Sequence, residues 1–194
     1  ESSDVTTTFG SATTNLAPDS SAVLNDLVAM FSGSITFDGT DTYTLSADIT
    51  ITETLGAYFP IPIKYGKIFD GGSNTITYAG SSTWSGLFEV TSLVNSGDTF
   101  TVQNTTFKLS SGGMTYGCSC FFDSTGNDMG GAEIIVTNCH STTDDAYSSS
   151  NTDGMYISGG SGGIVGKNCA YNGDVLIQYC SNTIPIYGDR AGGL

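Results

Sequence analysis

The chain has 194 residues and a net charge of −14, with Lys64, Lys67, Lys108, Lys167 and Arg190 as its fixed cations. So acidic a surface repels phosphate backbones and anionic bilayers, and no apolar run approaches the roughly 20 residues a membrane span needs, which argues against nucleic acid and membrane partners. Twenty-six glycines, few helix formers, and frequent Thr, Ile, Val, Tyr and Phe favour a single domain of short strands joined by tight turns.

Glu1 stands where an initiating Met would, which implies that something was removed ahead of it, a signal peptide or a longer parent chain. Residues 1–19, "ESSDVTTTFGSATTNLAPD", are rich in Ser and Thr without periodicity and predict an extended arm. Residues 20–33 predict a short capping helix. Asp19, Ser20 or Ser21 can cap it, Val23, Leu24, Leu27, Val28 and Phe31 share one face, and Gly33 stops it.

From residue 34 the apolar period changes to two. Tyr43, Leu45, Ala47, Ile49 and Ile51 alternate with Thr, Ser and Asp, and the pattern returns at Ile76 and Tyr78, Phe100 and Val102, Ile134 and Val136, then Val175, Ile177 and Tyr179. Such segments are strands with one buried face. They also repeat. Residues 86–110, 120–143 and 162–186 share one plan: a short apolar strand, a polar Gly/Asn loop, an alternating strand, and a Ser/Thr/Asn turn. Aligning Asn104 with Asn138 and Tyr179 gives spacings of 34 and 41 residues. An irregular period with a constant core pattern suits a solenoid with variable loops, and it predicts that Ile134 and Val136 lie between Val102 and Ile177. "GKIFDGGSNTITYAG" (66–80) reads as an earlier, shorter coil.

The "FDGGSNTIT" turn and the "GGIVG…VLIQYCSNT" pattern resemble right-handed parallel β-helix proteins of the pectate-lyase-like superfamily. The likeness is to the Gly-rich repeats of bacterial surface proteins and of proteins from large DNA viruses and algae. The resemblance covers about residues 35–194 and implies an all-β fold: a right-handed parallel β-helix, or solenoid, of about five coils behind a short N-terminal capping helix. It is specific for fold and silent on function.

"NTDG" (151–154) resembles the first signature of polygalacturonase-type glycoside hydrolases. In that family the motif works with a downstream aspartate pair, a Gly-His-Gly and an Arg-x-Lys. Here Gly173-Asp174 is followed by Val175, the single histidine, His140, lies upstream, and no Lys accompanies Arg190. Inverting hydrolysis needs two carboxylates across a water-sized gap, so a polysaccharide-active enzyme would require stacking to unite Asp153 with Asp174. The local reading is that Asn151 and Asp153 satisfy turn backbone, with no catalytic residues.

Lyase chemistry would need calcium. Asp123, Asp128, Asp144, Asp145 and Asp153 offer hard oxygen ligands for Ca²⁺, but their spacing matches no calcium-binding loop, and a solvated acidic edge accounts for them without a cofactor. The five cysteines, Cys118, Cys120, Cys139, Cys169 and Cys180, form no CxxC pair, and His140 alone completes no zinc set. Cys139 and Cys180 fall at one place in successive coils, where they form either a ladder of small core residues or a disulfide. Cys118 and Cys120 flank Ser119 and predict burial on a shared side. Asn104 begins "NTT", a glycosylation acceptor sequence, and equally fits an asparagine ladder at a turn. Ice binding would require a flat, regular Thr face, and the threonines are irregularly spaced along the chain.

"RAGGL" (190–194) reads as the opening of a further coil, so residues 34–194 are expected to be open or truncated at the C-terminal end, exposing a strand edge. The function expected is therefore non-enzymatic: a structural or adhesive element of an extracellular, cell-surface or virion-surface assembly. Its partners would be other copies or neighbouring structural subunits, engaged through the N-terminal arm and the open C-terminal coil, with glycans as further candidates.

Overall fold

A computed structural model describes residues 5–9, 12–16, 31, 33–56, 59–63, 66–90, 97–110, 119–122, 130–144, 162–167, 169 and 172–185. The helix expected at 20–33 lies outside them except for Phe31 and Gly33, as do the "NTDG" segment and "RAGGL". Among the described residues the chain is mostly strand, with helix limited to one turn at Glu53–Gly56, and the main sheet is not closed.

Near the N-terminus β1 (Val5–Phe9) and β2 (Ala12–Leu16) pair antiparallel, from Val5↔Leu16 to Phe9↔Ala12. The segment expected as an extended arm thus contains a hairpin, consistent with its Thr-rich composition and with the two residues separating the strands.

Alternating patterning produces the rest. β3 (Ile35–Phe37) runs antiparallel to β4 (Thr42–Leu45), and from β4 onward every neighbour in the main sheet is parallel. One column of pairing runs from β4 to β7 (Lys67–Asp70), then to the first half of β10 (Thr99–Leu109), the first half of β11 (Glu133–Thr143) and β12 (Asp174–Gln178). A second runs from β5 (Ile49–Ile51) to β8 (Thr75–Tyr78), the second halves of β10 and β11, and β13 (Ser181–Asn182). A third joins β6 (Ile61–Ile63) to β9 (Phe88–Val90), continues through a parallel bridge from Phe88 to Phe122, and links Ser119 to Gly162. The three segments aligned by sequence therefore stack, and Val136 lies beside Val102 on one side and Ile177 on the other.

Inward residues of all three columns meet in one apolar cluster that includes Phe69, Phe88, Phe100, Phe107, Phe122 and Trp84. Each fully buried side chain of this size contributes about 1.5–3 kcal/mol over its exposed state. Trp84 stacks against Phe59, Tyr78 and Phe107 at centroid distances of 5.3, 4.8 and 5.0 Å, and its indole N–H donates to Cys120 O at 3.1 Å. Ser119 is buried as fully as Cys120, against the expected alternation, because its hydroxyl accepts Phe122 N–H and lies 2.8 Å from Ile164 O, tying two levels of the third column together. Cys118 is outside the described residues.

Two residues expected inward point out. Ala47 is exposed between β4 and β5, where the chain turns from the first column to the second. Tyr179 is 82% exposed because it occupies a corner rather than a strand.

Candidate functional site

The richest polar chemistry among the described residues lies at that corner, where the first column turns into the second. Asn104, Asn138 and Tyr179 carry φ of 52°, 51° and 56°, so the three aligned positions share a left-handed backbone. Asn adopts this conformation at less cost than Tyr. The asparagines form a ladder: Asn138 Nδ2 donates to Asn104 Oδ1 at 2.9 Å, and Asn104 Nδ2 donates to Asp70 Oδ1 at 3.1 Å. The nitrogen that a glycan would occupy on Asn104 is thus a donor within the ladder. Asp70 also accepts from Gly72 N and Gln103 Nε2, each at 2.8 Å. Burial works to raise its pKa, but these hydrogen bonds outweigh burial and hold the carboxyl below its usual value. Gly71 lets the older coil fit beneath, since a Cβ there would stand 2.5 Å from Asn104 O.

Immediately past the corner the chain points inward. Thr105, Cys139 and Cys180 are in register on successive strands, since Thr137↔Gln178 and His140↔Ser181 bracket the cysteine pair. Each side chain reaches the carbonyl two residues back: Thr105 Oγ1 to Gln103 O at 2.8 Å, Cys139 Sγ to Thr137 O at 3.4 Å, and Cys180 Sγ to Gln178 O at 3.2 Å. Both sulfurs also approach the preceding strand, at Val102 O and Val136 O respectively. Both thiols are free. The neighbouring Cys180 thiol and burial push Cys139 up, while the Cys139 thiol pulls Cys180 down to about 7. Burial pushes Cys169 up to about 11 and Cys120 well above its ordinary value. Thr105, Cys139 and Cys180 thus succeed one another in register, with Cys139 buried and Cys180 half-buried.

Of the carboxylates considered as calcium ligands, Asp144 alone lies among the described residues. Asp144 forms an ion pair with Lys108 at 2.7 Å and accepts from Ser110 Oγ at 3.1 Å. Asp174 stands exposed at the start of β12, in register with Glu133. Asp123, Asp128, Asp145 and Asp153 lie outside the described residues. No group of three or more His, Cys, Asp or Glu among the described residues could hold a metal ion.

Threonines that are irregular along the chain become regular in space. On the outer side of the second column Thr50, Thr77, Lys108, Thr142 and Thr183 succeed one another, and beside them run Thr75, Thr106, His140 and Ser181. Thr183 Oγ1 donates to Thr142 Oγ1 at 3.1 Å, and His140 Nδ1 lies 2.8 Å from Ser181 Oγ. Lys108 and His140 interrupt the hydroxyl array. The sequence signal for this face is Thr at every second position, as in Thr50-Ile51-Thr52 and Thr75-Ile76-Thr77. Comparison of the chain with known proteins finds no family model, curated protein or solved structure that matches it.

Proposed function

We propose that the chain is a right-handed parallel β-helix of about five coils, capped by residues 20–33, that serves as a non-enzymatic structural or adhesive element of an extracellular or virion-surface assembly. The observation that carries this reading is the in-register parallel stacking of repeats whose polar side chains are spent on one another. Asp70, Asn104 and Asn138 build a corner, Thr105, Cys139 and Cys180 a ladder, and Glu53 binds the Ser81–Ser82 turn. Groups held this way fix a shape and are not poised for turnover.

Assembly is supported by the far edge. Among the described residues β12 pairs with β11 alone, and Leu176 and Tyr179 beside that edge are 38% and 82% exposed. A parallel stack continues by adding a strand, so this edge suits the arm or terminal coil of another copy or a neighbouring subunit. Sedimentation at increasing concentration tests it. Self-association is expected, and it should weaken when residues 1–19 are removed while the near-ultraviolet spectrum of the β-rich body is unchanged. A monomer at every concentration, together with an unoccupied β12 edge in a determined structure, sinks the reading.

The threonine face favours a second reading, adhesion to ordered water. Strands repeat about 4.7–4.9 Å apart, close to the roughly 4.5 Å between second-neighbour oxygens when water molecules bond tetrahedrally at about 2.8 Å. Inhibition of ice recrystallisation, abolished by Thr77→Tyr and retained in Thr101→Tyr on the first column, would establish it. No inhibition by the unaltered protein excludes it.

A further inference from the structure

We propose that Cys139 and Cys180 form a redox-active pair, with Cys180 the thiol that captures a small-molecule disulfide and Cys139 the thiol that resolves the adduct into an intrachain bond. Three features of the corner support this. Cys139 on β11 is in register with Cys180, which joins β12 to β13, and the strand spacing of about 4.8 Å lies within the Cα range of a disulfide. Cys180 Sγ already reaches toward β11, lying 3.5 Å from Val136 O on the strand that carries Cys139. Access is one-sided: Cys139 is fully buried, whereas Cys180 is half-buried beside exposed Tyr179 on the outermost described strand segment.

The asymmetry assigns the roles. The neighbouring Cys139 thiol pulls Cys180 down to about 7, whereas Cys120 and Cys169 are buried and pushed up. Thiolate attack by Cys180 on an aliphatic disulfide such as oxidised glutathione forms a Cys180 mixed disulfide and releases one glutathione thiolate. That thiolate takes the proton of Cys139. Cys139 Sγ then attacks Cys180 Sγ and expels the second glutathione thiolate, which is protonated from water. Counting the proton that Cys180 gave to water on ionising, the protein has lost two electrons and two protons, and one disulfide has become two thiols. The bond closes a 41-residue loop and ties β12 and β13 covalently to β11, the strand on which both are paired.

The experiment is incubation of the reduced, folded protein with oxidised glutathione at neutral pH, followed by alkylation and non-reducing peptide mapping by mass spectrometry. A peptide linking Cys139 to Cys180 is expected, with Cys120 and Cys169 still alkylated. Cys139→Ser should accumulate glutathione on Cys180. Serine fits that site because Thr105 makes the same contact one strand earlier, and Trp84 fluorescence reports whether the variant is folded. The oxidised protein should unfold at higher urea than the reduced one. The assignment is overturned if the folded protein yields no linked peptide, or if the adduct in Cys139→Ser falls on another cysteine. Should Cys139→Ser not fold, the linked peptide and its loss in Cys180→Ser decide the matter.

Discussion

Tyr179 is the residue whose chemistry fits its position least. It takes the left-handed corner conformation filled by Asn138 and Asn104 one and two levels earlier, and it exposes its ring instead of continuing their ladder. A non-glycine side chain in that region costs about 1–2 kcal/mol, less for Asn. Tyr179→Asn should therefore stabilise the fold by about 0.5–1 kcal/mol, raising the melting temperature by a few degrees, roughly 2–4 °C per kcal/mol for a chain of this size. Asn104→Ala should do the reverse and cost about 1–3 kcal/mol, through strain and two lost ladder bonds. Thermal melts followed by the fluorescence of the single tryptophan, Trp84, measure both. Equal melting of Tyr179→Asn and the unaltered protein would mean that Tyr179 has a compensating contact at this corner.

At the scale of elements, the corner between the first and second columns is a charged device as well as a turn. Asp70 receives the Gly72 amide, Gln103 and Asn104, and so binds the loop after β7 to β10 of the next level. Its folded pKa lies below the unfolded value of 3.8. A depressed carboxylate adds stability that is fully present above the unfolded value and is lost as pH falls through the folded one. Urea midpoints should accordingly hold near neutrality and fall below about pH 4. Asp70→Asn should lower the midpoint at neutral pH and flatten its decline in acid. An unchanged acid limb would place the responsible carboxylates elsewhere. Lys108 and Asp144, paired across the outer side of β10 and β11, are too exposed to carry such an effect, since pairs of this kind contribute about 0–1 kcal/mol.

For the whole molecule, the period-two patterning from residue 34 and the repeats at 34- and 41-residue spacing were sufficient to specify strands, their inward residues and their parallel register. A strand can bury only alternate side chains, and equivalent positions of successive repeats stack because that covers each apolar face with the next. Hence Val102, Val136 and Ile177 are adjacent, and Asn104 aligns with Asn138 and Tyr179. The same local reasoning failed at Ala47, Ser119 and Tyr179, where the chain turns and side-chain direction no longer follows from counting by two. It also missed the hairpin of β1 and β2, since pairing between two short Thr-rich strands leaves no apolar pattern. Tertiary structure alone decided which polar residues meet. The in-register thiols of Cys139 and Cys180, the Asp70 cradle and the threonine columns all join positions some 30–40 residues apart. Such joins depend on loop lengths that composition does not encode, because a loop may lengthen at modest entropic cost without disturbing the register of the strands it connects.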